Sequence, residues 1–120
     1  MDQLSIEKDN TMGFFTKDTP ADALRQLEKI NQEMRAISAL MHLNYNMIDG
    51  RNRDKVRVHY NNIIRYGSKY DRIKKELSMY EQLELEGMQM PLWNGKDGNV
   101  LAWEFYFRIT LDELHKDINY

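Results

Sequence analysis

The sequence predicts a mainly α chain of the α+β class. A long antiparallel αα-hairpin, coiled-coil-like, is followed by a β-hairpin and a short C-terminal helix. Three observations carry this. Apolar side chains recur at alternating steps of three and four in two successive runs, the period of about 3.5 that marks a helical seam. An Asp49-Gly50 pair separates the two runs. After Gly87 the apolar period falls to two, as in a half-buried strand. The 120 residues read as one domain: an extension or short strand over 1–18, the helical hairpin over 19–87, the β-hairpin over 88–110 and a helix over 111–120.

In the N-terminal extension Leu4 and Ile6 alternate with polar neighbours, and Phe14-Phe15 offers an anchor to a core. The stretch 19-TPAD-22 then reads as a helix start: Thr19 caps, Pro20 takes the first helical position, and Asp22 completes a capping box. The first seam comprises Ala23, Leu27, Ile30, Met34, Ile37, Met41 and Ile48, interrupted by Asn44. A lone polar residue on a seam fixes register or oligomeric state, or simply faces water near a helix end. Gly50 suits the left-handed stop.

The second seam runs Val56, His59, Ile63, Tyr66, Tyr70, Ile73, Leu77 and Tyr80. Gly67-Ser68 interrupts its composition but not its phase, so one continuous helix is expected, with room for a kink. Further on, Leu101, Trp103, Phe105, Phe107 and Ile109 alternate with Ala102, Glu104, Tyr106 and Arg108. Bulky aromatic and β-branched residues in that order favour a strand. An Asp97-Gly98 turn within 94-NGKDGN-99 sets Leu92, Met90 and Met88 opposite Trp103, Phe105 and Phe107, whereas an Asn94-Gly95 turn sets Glu86 opposite Trp103. The first register is therefore expected. The segment 110-TLDE-113 reads as a second capping box that opens the last helix.

A hydrophobic content of 42% and a charged content of 30% suit a folded, soluble chain. No apolar run reaches the ~18–20 residues of a membrane span, and the first ten residues lack a secretory layout. With no cysteine there is no disulfide framework, no thiolate nucleophile and no sulfur-based zinc site. The expectation is a cytoplasmic protein with no membrane partner.

Charge is unevenly spread. Residues 1–50 carry a net −3, residues 51–75 a net +7 and residues 76–120 a net −6. Arg57, Asn61, Arg65, Lys69, Arg72 and Lys75 fall nearly opposite the second seam and form one stripe along it. Cationic runs on helices are usually a solvated face, but such faces mix both signs because i,i+4 pairs of opposite charge support the helix. Here the counter-charge must come from the acidic C-terminal third of the same molecule or from an outside polyanion.

Nothing else in the chain announces chemistry. His42, His59 and His115 stand apart from any second ligand at metal spacing, and no glycine-rich phosphate loop or nucleophile elbow is present. Tyr66, Tyr70, Tyr80 and the aromatics of 100–110 read as core rather than base-stacking platforms. The expected function is a non-enzymatic interaction protein without metal or cofactor. It would act by occupancy, as an adaptor or inhibitor, on an acidic macromolecule (nucleic acid or an acidic protein surface), and would self-associate as a homo-oligomer. Compact chains without motifs are of the kind that viruses and mobile elements encode. Two alternatives stand beside this one: a coiled-coil structural oligomer, and an oligomeric binder of an anionic, nucleotide-like small molecule.

Overall fold

The computed structural model describes residues 17–119. The strand and anchor expected of Leu4, Ile6 and Phe14-Phe15 lie outside them. Four helices follow one another: α1 Pro20–His42, α2 Arg53–Glu76, α3 Met79–Gly87 and α4 Val100–Asn119.

The start of α1 is as the sequence predicts. The Thr19 hydroxyl accepts from the Asp22 backbone N–H, and the Asp22 carboxylate accepts from the Thr19 N–H at 2.8 Å, with Pro20 in the first turn. Its buried seam is Ala23, Leu27, Ile30, Met34 and Ile37. The far end differs from expectation. Helix α1 stops at His42, six residues before Ile48, and Gly50 does not take the left-handed position. Tyr45 and Asn46 do, at φ 57° and 59°. Asn44 is buried here and ties the turn, donating to the Met47 carbonyl and to Asp49 at 3.0 Å each. It sets no interhelical register.

Helix α2 runs back along α1. Asn52 reaches the Leu40 carbonyl, His59 and Asn62 reach Glu33, and Lys29 lies over the Tyr66 ring, so the contacts descend α1 as they ascend α2. Gly67 lies within an unbroken helix. The break comes later, after Glu76, where Ser78 and Glu81 form a capping box that opens α3. The second seam therefore ends at Leu77, and Tyr80 is turned outward.

The β-hairpin is overturned. Among the described residues there is no strand, only an isolated bridge between Gln89 and Asn99. The chain does double back between Met88 and Val100, held by Met90 N–H to Gly98 O, Leu92 N–H to Lys96 O and Val100 N–H to Met88 O. The reversal is at Asn94-Gly95, with Gly95 at φ 87°, and not at Asp97-Gly98. Residues 100–110 then belong to α4. Asn99 caps that helix by accepting from the Ala102 N–H at 2.9 Å, and 110-TLDE-113 lies inside it.

A helix separates residues that a strand would have kept together. Trp103 and Phe107 point inward, stacked at 4.7 Å, while Leu101, Phe105 and Ile109 point to solvent. The Trp103 indole donates to Asn31 Oδ1 at 2.7 Å, and the Asn31 amide donates to the Pro91 carbonyl at 2.8 Å. Both side chains are almost fully buried, so this pair satisfies polar atoms that would otherwise be stranded in the core. It also fixes α4 and the preceding loop against the middle of α1.

Candidate functional site

Helix α2 carries the predicted stripe because its sequence gathers most apolar residues on one side, with Val58 and Ile64 as exposed exceptions. Val56, Ile63, Tyr70 and Ile73 are buried, while Asn61, Arg65, Lys69, Arg72 and Lys75 on the other side are exposed. From Arg57 to Lys75 the row extends roughly 27 Å at the helical rise per residue. Asp54 and Glu76 bound it at either end, and Asp71 alone among the acids between them sits on the edge nearer α4.

The members are not equivalent. Arg57 is engaged within the chain, 3.2 Å from Asp54 and 3.2 Å from the Ile118 carbonyl, so it pins α2 to the end of α4. Among the described residues, none of Arg65, Lys69, Arg72 and Lys75 forms an ion pair. Arg65 rests over the Tyr66 ring at 5.3 Å, which leaves its outer edge available. Asn61 makes no side-chain hydrogen bond to a described residue.

One cation that the sequence groups with this block does the opposite. Lys74 turns inward, 3.0 Å from Glu104 and 3.3 Å from Glu86, and the Tyr70 hydroxyl donates to the same Glu104. Burial alone would lower the Lys74 pKa, but the two carboxylates outweigh it and the ammonium is held above its ordinary value. Burial and the Glu104 hydrogen bond both push the Tyr70 phenol up. Two carboxylates of the acidic third are thus committed to Lys74 and are not spread along the stripe.

On the α1 side, burial would raise the Glu33 carboxyl, but hydrogen bonds from Asn62 and His59 prevail and hold it below the usual range. His59 is placed 3.0 Å from Glu33 and His115 3.0 Å from the Tyr60 hydroxyl. Among the described residues no group of three or more His, Cys, Asp or Glu is arranged to hold a metal.

Two further surfaces were missed by sequence reasoning. A cleft of about 260 Å³ opens between α2 and α4 over Gly67, floored by Leu27, Ile30, Ile63 and Trp103 and rimmed by Asp71 and Arg108. Large apolar side chains also stand in water at four places: Leu43, Tyr45 and Met47 at the α1–α2 turn, Val58 and Ile64 on α2, Met79, Tyr80 and Leu83 on α3, and Leu101, Phe105 and Ile109 on α4. The signal for the last was present in the sequence, since those three residues are four apart and line one helix face.

No helix among the described residues is long and apolar enough to cross a membrane. No protein-family model, curated protein sequence or solved structure matches this chain.

Proposed function

We propose that the chain is a non-enzymatic interaction protein that lays the outward face of α2 on an acidic macromolecule and acts by occupancy, as an adaptor or inhibitor. The observation that supports this reading is the row Arg65, Lys69, Arg72 and Lys75, exposed and without an ion pair among the described residues. Like charges one turn apart repel weakly, and a polyanion relieves that repulsion while releasing its own counter-ions. The helix presents the charges on a preformed backbone, so binding orders side chains but not the chain itself.

The neighbouring cleft offers no cationic cradle for an anionic small molecule. Arg108 is the sole basic residue among those lining it and is offset by Asp71. The stripe itself is convex and offers no enclosure, which suits an extended partner rather than a nucleotide.

The test is binding of a labelled mixed-sequence DNA duplex, a single-stranded RNA and polyglutamate across a salt series. With about four phosphates neutralised, affinity for the nucleic acids falls on the order of a hundredfold between 50 and 200 mM salt. Arg65→Glu/Lys69→Glu/Arg72→Glu, shown by circular dichroism to keep its helices, is expected to abolish binding. Full binding by that variant, or no binding to any of the three probes at low salt, defeats the reading.

A further inference from the structure

The first half of α4 carries large apolar side chains on two sides, with Glu104 and Arg108 between them. Val100, Trp103 and Phe107 face the core, yet Leu101 (55% exposed), Phe105 (61%), Tyr106 (50%) and Ile109 (48%) face solvent. A helix with large apolar side chains on both faces is normally covered on both. Here α1, α2, α3 and the 88–99 loop cover one side, and among the described residues nothing covers the other.

We infer that a second copy of this chain covers it, the two protomers meeting about a two-fold axis with the outward faces of their α4 helices together. Area supports this occupant. Four large side chains, each about half exposed, leave roughly 400–500 Å² of apolar surface on one face. Interfaces are about 60–65% apolar, so such a patch implies roughly 600–800 Å² buried per partner, within the range of standard stable interfaces.

Charge distinguishes a self-pairing surface from one meant for a foreign partner. The exposed residues that continue the face are Arg108, Asp112, Glu113 and Lys116, two of each sign. A two-fold axis sets a surface against itself. A rim of mixed sign finds complementary charge in its own copy, whereas the single-sign row on α2 would only repel itself. The inference does not rest on the stripe's function, and either can fail alone.

Sedimentation equilibrium and light scattering over protein concentrations from about 1 to about 200 µM, the range in which weaker interfaces of this size dissociate, test it directly. The expected mass is twice the 14.4 kDa of one chain, falling toward the monomer on dilution. Phe105→Glu sets two carboxylates across the axis and is expected to raise the dissociation constant at least ~30-fold, as loss of a central apolar anchor does. Its helicity and its denaturant midpoint at low concentration should match the parent, because the side chain is already in water.

The chain has no cysteine, so a single Phe105→Cys thiol has no intramolecular rival. The central residue of the face meets its own copy whether the helices pair parallel or antiparallel, and mild oxidation should yield a covalent dimer. A wild-type monomer at the highest concentration, a dimer indifferent to Phe105→Glu, or a failure of Phe105→Cys to cross-link would each overturn the inference. The first would leave the face to a foreign protein.

Discussion

Helices α2 and α4 each give an apolar side to the core, and their outward sides differ in what predominates. Along α2 water meets chiefly Asn61, Arg65, Lys69, Arg72 and Lys75, with Val58 and Ile64 beside them; along the first half of α4 it meets chiefly Leu101, Phe105, Tyr106 and Ile109, with Arg108 beside them. The inward sides do the same work, closing on α1 through Ile63 and Tyr70 in one case and through Trp103 in the other. Folding therefore explains the inward residues of both helices and the outward residues of neither. A row of one sign gains only from opposite charge, while an apolar face with a mixed rim gains from being dried by any complementary surface, its own copy included. The two proposed contacts lie on different helices, so neither would compete with the other.

The largest effect that sharpens this contrast lies within α4. Trp103→Ala removes a fully buried ring and the donor to Asn31, and is expected to cost ~3–5 kcal/mol in urea unfolding. Phe105→Ala, measured in dilute solution where protomers are separate, should change stability by less than ~0.5 kcal/mol. In a strand these two residues would share a face and cost alike. Equal losses would thus break the division of α4 into an inward and an outward side.

A smaller effect divides the cations of α2. Lys74→Met strands the Glu86 and Glu104 carboxylates against a partly buried site, and should lose about 1–3 kcal/mol, below the cost of a fully buried pair because some water remains. Lys69→Ala, which breaks no ion pair among described residues, should stay within ~0.5 kcal/mol. If Lys69→Ala proved as damaging as Lys74→Met, the stripe would be structural and the comparison would lose its meaning.

The smallest effect is an alkaline pH dependence to which the inward cluster contributes. Tyr70 and Lys74 both have pKa values above their ordinary 10.0 and 10.5. The folded state therefore keeps protons that the unfolded chain gives up, so their contribution is complete below pH 10 and is lost as pH rises beyond it. The expected decline is under about 1.4 kcal/mol per group for each pH unit. Denaturant midpoints at pH 8, 9.5 and 10.5 should show the fall, and Tyr70→Phe should flatten it. An alkaline limb unchanged by Tyr70→Phe would mean that the hydroxyl is not held as described.

Much of the hairpin was legible because its signals agree with one another. Thr19, Pro20 and Asp22 mark the start of α1, and the α2 seam keeps phase through Gly67, so local capping and long-range burial select the same helices. The 100–110 segment was misread because nearly every position in it is apolar. A period of two picks out Leu101, Trp103, Phe105, Phe107 and Ile109, while the helical period picks out Val100, Trp103, Phe107, Leu111, Leu114 and Ile118. Aromatic and β-branched content favoured the first reading, but the second series continues unbroken to the end of the chain, and an isolated two-stranded hairpin is marginal in water. Asn99 as a cap and 78-SMYE-81 as a capping box were both visible in the letters. The stripe was legible because charge follows directly from composition. The outward face of α4 was not, since it exists only once the helix is assigned.

The Asn31–Trp103 bond joins side chains 72 residues apart, which bears on the order in which a newly made chain folds. Helices α1 and α2 can zip together early, since their contacts need little loop closure. Until α4 is made, however, the Asn31 amide lacks its indole partner and retains bound water on the flank of α1 that α4 will later seal. That flank of α1 can therefore be sealed only by the last helix, since the Asn31 oxygen finds its folded partner only when the Trp103 indole arrives.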